Sequence, residues 1–300
     1  MEEDFDVEKY RKERPMDYLS AYKFIIEPSH PSIKNEILNI IYKVTRLHIP
    51  DELFKYYSLT DDKELNELKL ETLRDNKIHL ADIKTLNDPY DSKGYFYRNE
   101  ELLEFEELIE HDGKIIDNTM ESHRLTSLTK CGFDNMKMWA EYSNNHKGYC
   151  VTYKMNEKQD ISFKGNTFPV QYIDERLDIT NLVKETTRKI INIKNENFKK
   201  GIKVTIIEDL TLPYVISLLN NLKTRDWETE EEFRCSVGNW KETDSKITAY
   251  PSAIYIGLNC SLSHIIKLIS IAHQNNIPIF QMKNDRYSIN GKLTAELLPI

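Results

Sequence analysis

The chain has 300 residues, of which 40% are hydrophobic and 30% are charged, and its formal net charge is −8. This length can bury a sizeable core in one domain or two, and the acidic balance argues against bulk nucleic-acid binding, which needs a net basic face. The opening MEEDFD is acidic and differs from a secretory signal, and no apolar run reaches membrane-spanning length. A reduced, cytoplasmic protein that binds no membrane is therefore expected.

The four cysteines lie far apart and lack the short spacing of a metal site such as C-x-x-C. Three of them fall in or beside predicted strands, where a thiol behaves as a small apolar group. We therefore predict buried free thiols rather than metal ligands. The cysteines are Cys131, Cys150, Cys235 and Cys260.

Residues 1–50 are charged and punctuated by proline, and apolar residues recur at helical spacing in Ile33–Leu47. This pattern predicts an N-terminal helical extension that braces the main domain. Residues 51–300 are predicted to form a single α+β domain. A lysine-rich helical region at about 180–222 is predicted to be an insert in that domain.

The first predicted strand of the domain is Leu53–Leu59. Period-two alternation places Tyr56 on one side of this strand and Lys55 on the other. An amphipathic helix over Leu65–Asn76 and a strand over Ile78–Ala81 are predicted to follow.

A turn follows in the sequence Asn87-Asp88-Pro89-Tyr90-Asp91. Proline disfavours the helical conformation at the residue before it, and both Asn87 and Asp88 can bond the local backbone. One interpretation is simply a well-made turn. The other places Asn87, Asp88 and Asp91 at the edge of a pocket, because the turn closely follows a core strand.

Two charged helical stretches are predicted, one acidic and one basic. Glu100–Glu110 is acidic with an apolar seam, which is typical of a solvated helix. The lysine-rich region from Thr180 to Leu222 is predicted to break near Gly201 and at Pro213. Its basic face is either solvated or a contact surface for an anionic macromolecule.

The stretch from Arg124 to Tyr153 predicts a strand, a short helix, a tight turn and a second strand. Asp134 or Asn135 is predicted to cap the helix, and Gly148 to take a left-handed turn after it. The predicted inner face of the helix consists of Met136, Trp139 and Tyr142. Chemistry-bearing groups are concentrated here between two core strands.

A late strand within Trp227–Val237 carries charge beside its core residues. In an extended chain Glu230, Glu232 and Arg234 project to one side. One interpretation is a surface strand end with a glutamate–arginine pair. The other is a carboxylate pair at the mouth of a pocket.

The last part of the chain predicts a strand–helix–strand unit and an edge strand. Ala253–Leu258 and Ile277–Met282 are the strands, with a helix capped by Ser261 or Ser263 between them, which suggests parallel or mixed pairing. The last residues, Thr294–Ile300, are predicted to form the edge strand. The whole pattern favours an α+β fold with a mixed, mostly antiparallel central sheet and helical additions.

Several of these blocks occur together in one known family. Leu53-Phe54-Lys55-Tyr56, Leu86-Asn87-Asp88-Pro89-Tyr90-Asp91, Met138-Trp139-Ala140-Glu141-Tyr142 with His146-Lys147-Gly148-Tyr149, Trp227-x-x-Glu230-x-Glu232-Phe233-Arg234 and Ile254-x-Ile256-Gly257 occur in that order. The chain thus resembles, from Leu53 to Met282, the bacterial family catalogued as domain of unknown function 2971. Leu86 stands where that family usually has Phe. Members often lie near mobile and defence genes, so the resemblance implies an antiphage-defence or toxin effector with a defence-system partner protein.

The order of elements also resembles the layout of ADP-ribosyltransferases. In those enzymes a polar residue stands on a first strand, a Ser-Thr segment lies on a central strand, and Glu-x-Glu precedes a late core strand. The corresponding positions here are Lys55 or Tyr56, Ser127-Leu128-Thr129, and Glu230-x-Glu232. The resemblance implies an ADP-ribosyltransferase-like sheet and NAD as substrate, without a metal.

Cleavage of the nicotinamide–ribose bond develops positive charge, which a fixed carboxylate stabilises. The resemblance implies that role for Glu232, with Glu230 orienting the acceptor or acting as base. The implied acceptor of the ADP-ribose is a protein or a nucleic acid. The implied NAD-binding residues are Lys55 and Arg234 for the pyrophosphate, Tyr56, Trp139 or Tyr142 for stacking, His146 for a ribose or phosphate, and Asn87, Asp88 and Ser127 at the edge of the pocket.

Two other functions fit the same residues. A metal-dependent nuclease would use Asp88, Asp91, Glu230, Glu232 and His146 around a hard cation. A non-enzymatic module that binds a nucleotide or a phage component would use the aromatic residues without catalysis.

Overall fold

The computed structural model describes residues 6–14, 34–86, 88, 90–109, 114, 116–117, 123–202, 218–238, 245–284, 287, 289 and 292–299. The chain divides into two compact units. Unit 1 comprises Met1–Ile49, Ile83–His123 and Pro169–Asp226. Unit 2 comprises Pro50–Asp82, Arg124–Phe168 and Trp227–Ile300.

The helices are α1 (Val7–Glu13), α2 (Lys34–Leu47), α3 (Lys63–Arg74), α4 (Asn99–Leu102), α5 (Glu106–Ile109), α6 (Met136–Tyr142), α7 (Ile161–Gly165), α8 (Thr180–Lys199) and α9 (Leu262–Asn275). Short 3-10 turns span Ile83–Thr85 and Arg225–Glu230.

The strands are β1 (Glu52–Tyr57), β2 (Lys77–His79), β3 (Ala81–Asp82), β4 (Tyr95–Phe96), β5 (His123–Thr129), β6 (Tyr149–Lys154), β7 (Thr167–Pro169), β8 (Gln171–Ile173), β9 (Leu177–Asp178), β10 (Leu222–Thr224), β11 (Glu232–Gly238), β12 (Lys246–Thr248), β13 (Ala253–Ile256), β14 (Ile279–Asn284) and β15 (Leu293–Leu297).

Unit 2 is built on one large sheet with the strand order β15-β14-β13-β6-β1-β5-β11-β7, and β3 pairs with β5. β1 pairs antiparallel with β5 and β6, and β13 with β6, whereas β13 and β14 are parallel. The predicted α+β class and mostly antiparallel sheet are confirmed. The parallel β13–β14 pair confirms the predicted strand–helix–strand unit, and β15 is the predicted edge strand, paired with β14.

The two sides of β1 have different surroundings, as alternation predicts. Phe54 and Tyr56 join a buried apolar cluster with Trp139 of α6. Lys55 lies on the other side, with its Nζ 5.3 Å from the centre of the Tyr57 ring. The neighbouring strands fix the register, since Phe54 faces Thr129 of β5.

Gly148 and Gly257, which belong to two of the sequence blocks, lie very close to the backbone of other segments. A Cβ on Gly148 would lie 1.8 Å from the backbone oxygen of Tyr57, and one on Gly257 would lie 2.2 Å from that of His146. The predicted left-handed turn at Gly148 is wrong, because Asn144, Asn145 and His146 take the positive φ angles of 52°, 53° and 66°. Gly148 and Gly257 are required because other chain segments pass too close for a side chain.

The helix α6 begins at the predicted cap, since the Asn135 side chain accepts a hydrogen bond from the Met138 backbone nitrogen at 3.1 Å. Its predicted inner face is partly wrong. Trp139 is buried as predicted, whereas Met136 is 47% exposed and Met138 is buried in its place.

Unit 1 has its own apolar cluster, which includes Tyr95, Leu102, Phe105 and Leu222. The parallel pairs β4–β9 and β8–β10 lie in this unit. The predicted helix Glu100–Glu110 is wrong as one element, because α4 and α5 are separate four-residue helices. Leu102, Phe105 and Leu108 are buried around this break, whereas Ile109 stays exposed.

The lysine-rich region begins as predicted with α8, which ends at Lys199 before Gly201. The predicted break at Pro213 lies outside the described residues. The predicted boundaries at residue 50 and at 180–222 stay predictions. Among the described helices, none combines the length and apolarity needed to cross a bilayer.

Candidate functional site

Glu232 and Arg234 form a buried, forked ion pair on one face of β11. The Arg234 Nε donates to Glu232 Oε1 at 2.7 Å, and Nη2 donates to Oε2 at 3.1 Å. The two side chains are 5% and 0% exposed. The predicted pair is present, but the alternative of a surface strand end is wrong, because both charges are removed from water. Two parallel hydrogen bonds are what make such burial tolerable.

Glu230 lies just before β11, at the end of the 3-10 turn, and is 3% exposed. The Tyr142 hydroxyl of α6 donates to Glu230 Oε1. Burial, this hydrogen bond and the charges of Glu230 and Glu232 raise the pKa of Tyr142, so the phenol stays a donor. The Tyr142 hydroxyl therefore holds the carboxylate of Glu230, and the predicted stacking of its ring on a ligand stays a prediction.

The backbone between the two glutamates is also fixed. The Thr129 hydroxyl of β5 donates to the Glu230 carbonyl at 2.6 Å. Glu231 takes a positive φ of 44° and pairs at the surface with Lys130 at 3.0 Å. A left-handed, non-glycine residue interrupts the simple extended chain assumed from the sequence. Glu230 and Glu232 are therefore presented by a turn followed by a strand.

Lys55 of β1 lies among groups of the neighbouring strands. Its Nζ donates to the Ser127 carbonyl of β5 at 3.1 Å. Burial lowers the pKa of Lys55 to about 8, and the negative charge of Glu232 opposes that shift. Lys55, Ser127 and Glu232 therefore lie on three consecutive strands, and the Glu232 charge acts on the Lys55 amine.

Two of the predicted stacking residues are part of the core. Trp139 is 0% exposed, and its Nε1 donates to the Phe133 carbonyl at 2.7 Å. Tyr56 packs edge-on against Trp139, with the ring centres 5.1 Å apart, and its hydroxyl donates to the Gly132 carbonyl at 2.5 Å. The predicted stacking of Tyr56 or Trp139 on a nucleotide is corrected, because neither ring offers a free face.

His146 stacks in parallel on Trp139, with ring centres 5.9 Å apart. It is half-buried, and burial lowers its pKa. Its carbonyl accepts a hydrogen bond from the Asn259 backbone nitrogen at 2.9 Å. His146 thus helps to fasten the turn before Gly148, and its predicted role with a ribose or phosphate stays a prediction.

Arg234 has a different role from the predicted one. Its side chain is fully buried, and its fork is bonded to Glu232. The predicted contact with a pyrophosphate is therefore corrected. Of the two cations that were predicted to contact the pyrophosphate, Lys55 remains a candidate.

The predicted turn residues belong to unit 1. Asn87 lies outside the described residues. Asp88 lines a pocket of about 700 Å³, together with Asp91 and with Arg176. The alternative that places the turn at the edge of a pocket is confirmed for Asp88 and Asp91, whereas their role with NAD stays a prediction.

No group of three or more His, Cys, Asp and Glu side chains that could hold a metal ion occurs in the described ranges. The four cysteines are free thiols, as predicted. Cys150 and Cys235 are buried, whereas Cys131 and Cys260 are half-buried.

Sequence reasoning named Thr129 and Tyr142 but missed their role as the anchors of Glu230. Their partner lies about a hundred residues away, so no local pattern reveals the contact. Asp117 and Arg176, which line the pocket of unit 1, were missed because they stand in no motif. The turn with Asp88 and Asp91 was the sequence signal for that pocket.

Comparison with known proteins bears on this site. Residues 138–235 match the family model described as "Protein of unknown function (DUF2971)". The predicted resemblance is therefore confirmed from Met138 in α6 to Cys235 in β11. Searches of curated proteins and of solved structures find no match.

The matched region contains Tyr142, Glu230, Glu232 and Arg234, so the buried charged cluster lies entirely within it. Lys55 and the pocket residue Asp88 lie before it. The matched region also includes residues 169–226 of unit 1.

Proposed function

We propose that this protein cleaves the nicotinamide–ribose bond of NAD and transfers the ADP-ribose to a macromolecular acceptor. The observation that carries the proposal is the buried carboxylate pair at the start of β11, in which Glu230 and Glu232 each have an anchoring partner. Burying two carboxylates costs free energy, and such arrangements concentrate at functional sites.

The chemistry requires a fixed negative charge beside a sugar that becomes positive. Glu232 takes that role in the proposal, since Arg234 holds its carboxylate in one orientation. A carboxylate oxygen that accepts one hydrogen bond keeps capacity for another, so a ribose hydroxyl can still donate to Glu232. This fixed geometry is the electrostatic preorganisation that glycosidic cleavage needs.

Glu230 is assigned to the acceptor, which it orients or deprotonates. Tyr142 holds its side chain, and Thr129 holds its backbone. Lys55 is assigned to the NAD phosphates. Its strand, β1, is separated from β11 by β5, and the charge of Glu232 acts on its amine. The adjacency of β1, β5 and β11 supports this division of roles.

The proposed setting is the bacterial cytoplasm, with the protein acting as a defence or toxin effector. The family resemblance supports that setting, and an ADP-ribosyl transfer would disable a protein or nucleic-acid target. Four free thiols fit a reducing compartment.

The test is incubation of the purified chain with labelled NAD and cell extract, with nicotinamide release and macromolecular label both measured. Glu232→Gln should lower nicotinamide release about 10²- to 10³-fold, since it removes the stabilising charge. Glu230→Gln should reduce label transfer more than nicotinamide release. Glu231→Gln is the matched control, because Glu231 stands between them but is exposed.

A wild-type protein as inert as Glu232→Gln, with no NAD binding above an unrelated protein, rejects the proposal. Activity that survives Glu232→Gln and disappears with a chelator would instead support the nuclease alternative.

A further inference from the structure

The pocket of unit 1 differs chemically from an NAD site. Among the described residues, its lining contains three basic and four acidic side chains, whose formal charges nearly cancel. A volume of about 700 Å³ lies within the usual range for small-molecule sites, about 300–1,000 Å³. A ligand with two or more phosphates would face this acidic excess, so the lining favours a ligand that is itself neutral overall.

Three of the charged side chains in this pocket are held by neutral groups. Arg176 donates through Nε to the Lys93 carbonyl at 2.9 Å and through Nη2 to the Tyr95 carbonyl, and its guanidinium lies 5.8 Å from the centre of the Phe96 ring. The carboxylate of Asp117 accepts from the Tyr95 hydroxyl at 3.2 Å. Asp88 accepts from the Tyr90 backbone nitrogen at 2.8 Å.

Opposite charges that line one pocket would normally pair with each other. Here Lys93, Asp88, Asp117 and Arg176 form no ion pair with any residue in the described part of the chain. Asp88, Asp117 and Arg176 are hydrogen-bonded to neutral partners instead. Both an anionic and a cationic group are therefore presented to whatever enters the pocket.

Aromatic rings complete the lining. Tyr95 and Tyr97 stack in parallel with their centres 6.4 Å apart. Burial and the charge of Asp117 raise the pKa of both tyrosines, so both phenols remain protonated donors. Tyr95 is buried in the apolar cluster of unit 1, whereas Tyr97 is half-buried. The Tyr97 ring therefore supplies apolar area for a side chain, and a tyrosine face also attracts an ammonium group.

We propose that this pocket binds a small zwitterion of amino-acid to dipeptide size. Its ammonium group meets Asp117 and the Tyr97 ring, and its carboxylate meets Lys93 or Arg176. The site lies wholly in unit 1 and does not rest on the NAD chemistry proposed for unit 2.

The first experiment is a thermal-shift screen of the full chain against the twenty free amino acids and their homodipeptides. The strongest ligand is then titrated by calorimetry beside three derivatives: N-acetylated, amidated, and both. The free zwitterion should bind best, and the doubly blocked form worst. A preference of about fivefold per charge is expected for partly exposed ion pairs.

The variants assign each charge. Asp117→Asn keeps an acceptor for Tyr95 but removes the negative charge, so it should weaken the free and amidated forms and spare the N-acetylated one. If Lys93 meets the carboxylate, Lys93→Gln should weaken the free and N-acetylated forms and spare the amidated one. Glu106→Gln, an exposed change in the same unit outside the pocket, should alter neither.

Two results would overturn the proposal. One is the absence of any thermal shift with all the amino acids and dipeptides. The other is equal affinity for the zwitterion and its doubly blocked form, which would mean that the charges of the pocket play no part. Retained melting temperatures of Asp117→Asn and Lys93→Gln would show that a loss of binding is not a loss of folding.

Discussion

In unit 2 the buried charges of Glu232 and Arg234 neutralise each other across a forked hydrogen bond, whereas in unit 1 Arg176 and Asp117 are bonded to neutral groups. The first arrangement holds the Glu232 carboxylate in one orientation. The second leaves the charges of Arg176 and Asp117 without an ion pair in the described part of the chain. This difference suits the proposed chemistry of unit 2 and the zwitterionic ligand proposed for unit 1.

The largest predicted effect comes from breaking the buried pair. Arg234→Met leaves Glu232 buried without its partner, so the free energy of unfolding should fall by about 3–5 kcal/mol in chemical denaturation. Arg188→Met, which removes an exposed pair with Glu104, should cost less than about 1 kcal/mol.

The double variant Glu232→Leu/Arg234→Met sharpens this test. Because an apolar pair of similar volume needs no desolvation of charge, it should be more stable than Arg234→Met alone. If Arg234→Met lowered the free energy of unfolding as little as Arg188→Met, the buried pair would be no more important to stability than an exposed one.

A smaller loss is predicted for the anchor of Glu230. Tyr142→Phe removes a hydrogen bond to a buried carboxylate and should cost about 1.5–3 kcal/mol in the free energy of unfolding. Tyr57→Phe is the matched control, because its hydroxyl meets another neutral hydroxyl, that of Tyr153, at 3.4 Å. Equal losses in the two variants would mean that the charge of Glu230 is not held by Tyr142.

The lowered pKa of Lys55 predicts a pH dependence of stability. Between the folded value of about 8 and the ordinary value of 10.5, the unfolded chain holds a proton that the folded chain has released. Stability relative to Lys55→Met should therefore rise with pH across this window, by about 1–2 kcal/mol because the residue is only half-buried. Denaturation curves of both proteins at pH 7.5 and 10.5, about the ends of the window, measure the difference. A constant difference would show that the Lys55 amine is not desolvated.

The smallest effects on stability belong to the pocket of unit 1. Asp117→Asn and Lys93→Gln should each change the free energy of unfolding by no more than about 0.5 kcal/mol, because both side chains are exposed and neither is ion-paired in the described part of the chain. A loss of several kcal/mol in either variant would mean that these charges are structural, as in unit 2.

The sequence by itself determined most of the elements around the candidate site. Period-two alternation separated Lys55 from Tyr56 on β1 and put Glu232 beside Arg234 on β11, because side chains of a strand alternate whatever the rest of the chain does. The cap at Asn135 and the core position of Trp139 follow from equally local rules. Family resemblance was also readable, and it is confirmed over residues 138–235.

Only the tertiary structure decided what these residues do. That Glu230 and Glu232 are buried, that Tyr142 bonds one and Arg234 the other, and that Gly148 is needed for a close approach all depend on segments distant in the chain. The packing of two separate chain segments within unit 1, which brings Asp88, Asp117 and Arg176 to one pocket, is likewise long-range. Local propensity carries no information about such partners, because burial and pairing are set by what the rest of the fold places nearby.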